Sequence, residues 1–502
     1  DARKIWHELS CLENTSESNK MCKPVMPQLP PQPLSHCVMS EDAKPAASQP
    51  PLELAEMLQL DAHTIRDLEI FETESGQASL YDFCNFTKTS GGAKVLIRRM
   101  SQPWSVHQRI FATQQALRFI LQHRDAFNAL PTAFATGRVD HYSHEILPII
   151  TAVNGFQFAV GVMSLKSADD PHYQSIVRGV LVSCTLIRVL RKMVAQIELS
   201  EPAGELIGLL AAMRELLARP RLAQIPEREV GSWAWGILRL DQVFRLHEKA
   251  AIAQLLNLIY EIDALVAMAD ATEQHGFTLP ILEHGALRVY AEGLVHPFIK
   301  KAVANPVKID QQRRLVFITG PNMAGKTTYM RAFATALYLA HLGMGVPAST
   351  FRFVPAQTLI CSTSLSDDLR NSVSYFKAEA LRVKAIASAL AQGLRVVALL
   401  DEPFKGTNVK DAMDASQAIL QRFAVREHCL FMFSSHLIEL GEQLHRDDPI
   451  DCQFFEAEEG GERLQFNYTL QPGISSQRLG MRVLREEGVF ELLDASDKSL
   501  AQ

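Results

Sequence analysis

The 502-residue chain has no excess of positive charge: 50 Lys and Arg face 56 Asp and Glu, for a net charge of −6 and a pI near 6.3. This excludes a protein that holds nucleic acid through its overall charge; such binding would need a local patch or an enclosing shape. No Cys-x-x-Cys pair occurs. The eight cysteines are scattered at 11, 22, 37, 84, 184, 361, 429 and 452. That spacing excludes a disulfide framework and a ribbon-type zinc site, and points to thiols in a reducing, cytoplasmic setting. There is no internal repeat and no signal-peptide pattern, although the chain opens at Asp1 rather than Met, so the true start is expected upstream. Long uncharged runs are scarce. Ile146–Leu165 is twenty residues without a charge, but Pro148, Asn154, Gly155, Gln157 and Gly161 argue against a membrane span. The expectation is a buried helix pair broken near Asn154-Gly155.

What is present divides the chain by texture. Its length suits two or three domains, and 47% hydrophobic residues suffice for real cores. Eight prolines between Pro24 and Pro51 predict a disordered, Pro-rich tail over 1–51. The next stretch is helical by pattern: Ile252, Leu255, Leu256, Ile259, Ile262, Leu265 and Val266 recur at helical spacing. From about Tyr290, apolar runs alternate with helical segments, the α/β pattern. The predicted fold is therefore α + α/β, with a helical domain over 52–289 and an α/β domain over 290–502.

The α/β part carries the chemistry. The apolar run Leu315–Ile318 reads as a buried strand, followed by Gly320-Pro321-Asn322-Met323-Ala324-Gly325-Lys326-Thr327-Thr328 and a helix-compatible stretch. This is a phosphate-binding loop. Its glycines let backbone N–H groups turn inward toward phosphate oxygens. Lys326 brings positive charge to the β- and γ-phosphates, the Thr327 hydroxyl is placed to ligate Mg²⁺, and the helix N-terminus adds a favourable dipole. A second strand-like run, Val396–Leu400, ends in Asp401-Glu402. Asp401 sits where a carboxylate holds Mg²⁺, and Glu402 where a base orients or deprotonates the attacking water. A third run, Leu430–Phe433, leads through Ser434-Ser435 to His436, a candidate sensor of the γ-phosphate. The expected cofactors are ATP and Mg²⁺, and the expected catalytic set is Lys326, Glu402 and His436.

The segment Gly320–Arg331 resembles the ATPase of the MutS DNA mismatch-repair family, whose form is G-P-N-M-G-G-K-S-T-Y-M-R. Further matches follow in order: Leu294–Pro297, Val303–Pro306, Asp367-Asp368-Leu369, Ser374–Glu379, Asp401–Thr407, Phe433–His436 and Gly473–Gly480. More loosely, Leu60-Asp61, Ser79–Phe83 and Thr87–Pro103, with Gly91-Gly92 and Arg98-Arg99, resemble the opening of the family's helical core, or lever. The resemblance implies a lever domain followed by an ABC-like P-loop ATPase. It implies a homodimer in which Ser374 of one protomer completes the ATP site of the other. It also implies binding of mismatched, branched or distorted duplex DNA, in company with other repair proteins. The main expectation is thus an ATP-dependent DNA-binding switch; the alternative is a switch acting through protein partners without DNA.

The departures from the family bear on that choice. Its mismatch-reading domain has no counterpart in these 502 residues. Arg188, Arg191 and Lys192, and Arg214, Arg219 and Arg221, are the basic clusters available to phosphates. Ser372 and Val373 replace Gly and Arg before Ser374, and Phe404-Lys405 replaces Gly-Arg after the Asp-Glu pair. Ala302 stands where an aromatic would stack on adenine; Tyr290 and Phe298 are the substitutes considered.

Overall fold

The structure, a computed structural model, describes residues 56–493 except 74–75, 153, 166–170, 229–230, 232, 364–374, 444–449, 459–463, 476, 478–479 and 491. The expected tail at 1–51 and the Asp367 to Ser374 stretch lie outside the described residues.

Helices dominate up to Gln274. A short helix, α1 (Ala62–Asp67), is followed by α2 (Ser90–Ser101), α3 (His107–Gln122), α4 (Gly155–Leu165), α5 (Pro171–Glu198) and α6 (Lys249–Gln274), with shorter helices between them. The central element is α6. All seven apolar positions anticipated by spacing are buried in it. It packs against α2, α3 and the helix at Glu205–Leu217. The approach of α2 is close because Gly91 and Gly92 have no side chains. A Cβ on Gly91 would lie 2.4 Å from the Tyr260 ring, and one on Gly92 would lie 2.1 Å from Asp263 Oδ2. Asp263, buried on α6, accepts hydrogen bonds from the Lys88 and Thr89 backbone N–H groups at 3.0 and 2.8 Å. It also accepts from the Thr89 hydroxyl at 2.6 Å, while that hydroxyl caps the Gly92 N–H. The glycine pair and the cap thus fix where α2 starts.

The charge-free run at 146–165 is not a buried helix pair. The helix begins at Gly155, where Asn154 Oδ1 accepts from the Gln157 N–H at 2.8 Å, so the break is where the sequence placed it. No helix precedes it from 146 to 152. Phe158 and Val162 are buried, but Phe156 and Met163 are about 80% exposed and Ile146 fully so. Eleven residues give roughly 16 Å of helix, too short to cross a bilayer. Among the described residues only α6 is long and apolar enough for that, and most of it is buried in the bundle.

Strands take over from Ile281, giving a helical region followed by a β/α region. The larger sheet has the order β1-β7-β8-β9-β5-β10-β11. Its strands are β1 (Gln59–Leu60), β5 (Leu315–Thr319), β7 (Thr358–Ser362), β8 (Val396–Asp401), β9 (Leu430–Ser434), β10 (Ile450–Glu458) and β11 (Gln465–Pro472). All pairings are parallel except the antiparallel edge between β10 and β11. β5, β7, β8 and β9 are buried almost throughout, as continuous apolar runs must be when helices cover both faces. The covering helices include α7 (Lys326–His341), α8 (Tyr375–Ala391) and α9 (Val409–Ala424). A smaller sheet, ordered β2-β6-β3-β4, comprises β2 (Ile281–Leu282), β3 (Val289–Leu294), β4 (Asn305–Ile309) and β6 (Thr350–Phe353).

The two regions share one hydrophobic core, which runs from Leu96 and Leu256 to Leu337 and Phe353. Hydrogen bonds cross the same boundary. The Tyr338 hydroxyl on α7 donates to the Met100 carbonyl at the end of α2, at 2.6 Å. Gln114 Nε2 donates to the Pro280 carbonyl at 2.9 Å, and the Gly345 N–H donates to the Thr272 hydroxyl at 3.0 Å.

Candidate nucleotide site

In a parallel sheet the carboxyl ends of adjacent strands open into one crevice. Here β8, β9 and β5 lie side by side, with Asp401 opposite Ser434 and Ser434 opposite Ile318. Residues 320–325, Asp401-Glu402 and Ser434–His436 leave the sheet at the same edge. The three elements found separately in the sequence therefore meet.

The loop between β5 and α7 depends on glycine at two points. Gly320 has φ +137° and Gly325 φ +108°, values that side-chain-bearing residues rarely adopt. A Cβ on Gly320 would meet the Phe455 carbonyl oxygen at 2.6 Å. The loop curls so tightly that Lys326 Nζ, buried, donates back to the carbonyls of Gly320 at 2.8 Å and Pro321 at 3.2 Å. Ala324 is buried beneath the loop, whereas Met323 is largely exposed at its tip, with φ +69°. Thr328 lines the cavity next to Thr327.

The Thr327 hydroxyl donates to Asp401 Oδ2 at 2.5 Å, and the Ser434 hydroxyl donates to Asp401 Oδ1. A hydroxyl and a carboxylate facing each other at the start of the helix are hard oxygen donors of the kind Mg²⁺ takes, so the pair fits that ion. Glu402 follows with φ +45°, and its N–H is held by both the Ser434 hydroxyl and the Ser434 carbonyl. One carboxylate oxygen lies 3.0 Å from Lys326 Nζ and the other 2.7 Å from Lys405 Nζ. His436 Nδ1 stands further off, at 3.7 Å, on a half-exposed ring. Burial alone would raise the Glu402 carboxyl. His436, Lys326 and Lys405 together outweigh it and hold the group well below the usual carboxylate range.

The loop after Glu402 is secured from α8. Glu379 Oε1 accepts from the backbone N–H groups of Phe404 at 2.7 Å and Lys405 at 3.2 Å. Its Oε2 is buried without a hydrogen-bond partner, and burial raises its pKa. The Phe376 and Phe404 rings meet at 5.7 Å, joining the same two elements. Ser374, just before α8, is outside the described residues, so the structure does not place it.

A cavity of about 630 Å³ opens over the loop. Its far wall comprises His296, Ile299, Val303, Asn305, Phe455 and Tyr468. Asn305 sets this wall: its Nδ2 donates to the Tyr468 carbonyl at 2.9 Å and its Oδ1 accepts from the Leu470 N–H at 2.8 Å, tying β4 to β11. Burial, with Arg331 nearby, pushes His296 down to about 4, so its ring is neutral. Of the aromatics considered from sequence, Tyr290 donates its hydroxyl to Asp310, and Phe298 packs edge-on to Phe83; neither lines the cavity. Ala302 does line it. Sequence motifs carry no sign of Tyr468 and mark Lys405 only as a departure without a role, because motifs on β4, β8 and β11 reveal neither the distance between strands nor which side chain closes a gap.

Four of the six basic residues considered for phosphate contacts are engaged within the chain. Arg188 donates to the Arg228 carbonyl at 2.7 Å; Arg191 donates to the Ile225 and Leu222 carbonyls and pairs with Glu227. Arg214 pairs with Glu198 and Arg219 with Glu248. In the comparison with protein families, residues 316–501 match the model described as MutS domain V. The match contains β5 from Val316 onward, the phosphate loop, β8 and β9, and stops short of the helical region.

Proposed function

We propose that the chain is an ATP-hydrolysing switch of the MutS type that works on a protein partner. The observation that carries this is the convergence of Lys326, Thr327, Asp401 and Glu402 at one sheet edge, within the segment matched to the MutS ATPase. In this reading Lys326 binds the β- and γ-phosphates, and Thr327 and Asp401 hold Mg²⁺, which neutralises phosphate charge. Glu402 orients water and accepts its proton, and His436 faces the γ-phosphate. The ring of Tyr468 and the apolar side chains of Ile299 and Val303 offer the nucleobase a surface. The helix carrying Lys326 is tied to the end of α2 by the Tyr338–Met100 hydrogen bond and shares its hydrophobic core, so a change at the phosphates has a mechanical route into the helical region. Such a route shifts an equilibrium only by the difference in nucleotide affinity between the two states.

A protein partner is preferred over DNA because Arg188, Arg191, Arg214 and Arg219, four of the six basic residues that would meet phosphates, cap carbonyls or pair with carboxylates within the chain. The test is binding to homoduplex, mismatched and branched DNA, with and without ATP, at two salt concentrations. The expected result is nucleotide binding without measurable DNA binding. DNA affinity that falls steeply with salt would restore the DNA-binding reading. A Lys326→Ala chain that binds ATP as the parent does would remove the nucleotide site.

A further inference from the structure

Glu402 lies between two lysines. Lys326, on one side, belongs to the phosphate loop; Lys405, on the other, stands on the loop that follows β8 and lines the same cavity. Both ion pairs are short, at 3.0 and 2.7 Å, and the carboxylate they share is 9% exposed. Both carboxylate oxygens of Glu402 are thus engaged by lysine ammonium groups. Lys405 is less confined, its side chain being 46% exposed. A lysine is a point charge on a flexible stem and can exchange one oxyanion for another without a fixed geometry. Its backbone, by contrast, is fixed: Glu379 on α8 holds the N–H groups of both Phe404 and Lys405.

Resting on the nucleotide-site reading above, we propose that Lys405 is a positioning residue that detects the γ-phosphate. Lys405 and Lys326 clamp Glu402 between them. When ATP fills the cavity, Lys326 turns to the phosphates and Lys405 exchanges Glu402 for a γ-phosphate oxygen. Glu402 then holds water in place of lysine. ADP reaches Lys326 but leaves the clamp at Lys405 closed. The site thereby couples release of the base to the presence of the third phosphate, and Glu379 carries the change in the 404–405 loop to α8.

The experiment measures affinity for a non-hydrolysable ATP analogue and for ADP by calorimetry, with Mg²⁺, on the full chain and its Lys405→Met and Lys405→Arg variants. A charge-assisted hydrogen bond of ordinary strength predicts about a tenfold or larger loss for the ATP analogue in Lys405→Met. ADP affinity should change by no more than about twofold, and Lys405→Arg should restore most of the difference. Equal losses for both nucleotides would assign Lys405 a purely structural role and overturn the proposal. So would unchanged affinity for both. A parental chain that binds neither nucleotide would overturn the site itself, an outcome distinct from failure of the Lys405 assignment.

Discussion

Backbone strain at individual residues gathers around the nucleotide cavity. Met323, Glu402, Phe404 and Tyr468 all have positive φ without being glycine. Such conformations cost about 1–3 kcal/mol each and persist where surrounding contacts impose them. At Glu402 the imposing contacts are the two Ser434 oxygens; at Phe404 they are Glu379 Oε1 and the Phe376 ring. Gly320 shows the opposite solution, removing the side chain altogether. Gly320→Ala is expected to lower stability by about 1–3 kcal/mol, and to weaken nucleotide binding by displacing the loop against the Phe455 carbonyl. Thermal melts and nucleotide titration on the same sample check both effects. An alanine variant that melts and binds like the parent would show that the tight approach at Phe455 is unimportant.

At the scale of elements, two contacts help to join the helical region to the β/α region. The first is the Tyr338 hydroxyl on the Met100 carbonyl. This carbonyl belongs to the last turn of α2, where intrahelical partners run out. Tyr338→Phe leaves it buried and unpaired, for an expected loss of about 1–2 kcal/mol, read as a lower denaturation midpoint with an unchanged slope. The second contact is between Asp61, the N-cap of α1, and Arg382 on α8, which also donates to the Cys361 carbonyl at 2.7 Å. Burial raises the Asp61 carboxyl, but Arg382 and the Thr64 N–H more than compensate and leave it below the ordinary value of 3.8. A depressed folded-state pKa contributes stability that is present above the unfolded value and lost as pH falls through the folded one. The destabilisation caused by Asp61→Asn should therefore be constant from neutral pH down to about pH 4 and shrink below it. A difference in melting temperature that stays constant into stronger acid would show that this ion pair is not responsible.

These contacts also mark what sequence could and could not reveal. β5, β8 and β9 were legible because each is a continuous apolar run ending in its own chemistry; the motif and the element coincide. α6 was legible from its helical spacing. By contrast, Gln59 pairs with Thr358 in parallel, and a two-residue strand at such a separation has no local signature. The Gly91-Gly92 pair was visible as a motif, yet its purpose emerges only with Tyr260 and Asp263 across the helix interface. In 146–165 the absence of charge suggested burial, but composition does not say which face of a helix has a neighbour. Phe158 found Trp235, whereas Phe156 and Met163 face outward.

At the scale of the whole molecule, one core is shared by the candidate nucleotide site and the helical region. We further propose, from the family resemblance, a dimer in which Ser374 of one protomer completes the site of the other, and complementation tests it. Mixing Lys326→Ala with Ser374→Ala protomers should leave one intact composite site and restore hydrolysis that neither variant shows alone. Absence of rescue despite demonstrated heterodimers would confine each site to its own chain. The central claim is that the edge formed by β5, β8 and β9 binds ATP through Lys326 and hydrolyses it through Glu402. The most direct measurement compares ATP affinity and phosphate release for the parent and Glu402→Gln under identical conditions. The amide fills the same space but accepts no proton, so ATP binding should persist while phosphate release is largely lost. Phosphate release by Glu402→Gln at the parental rate would contradict the account.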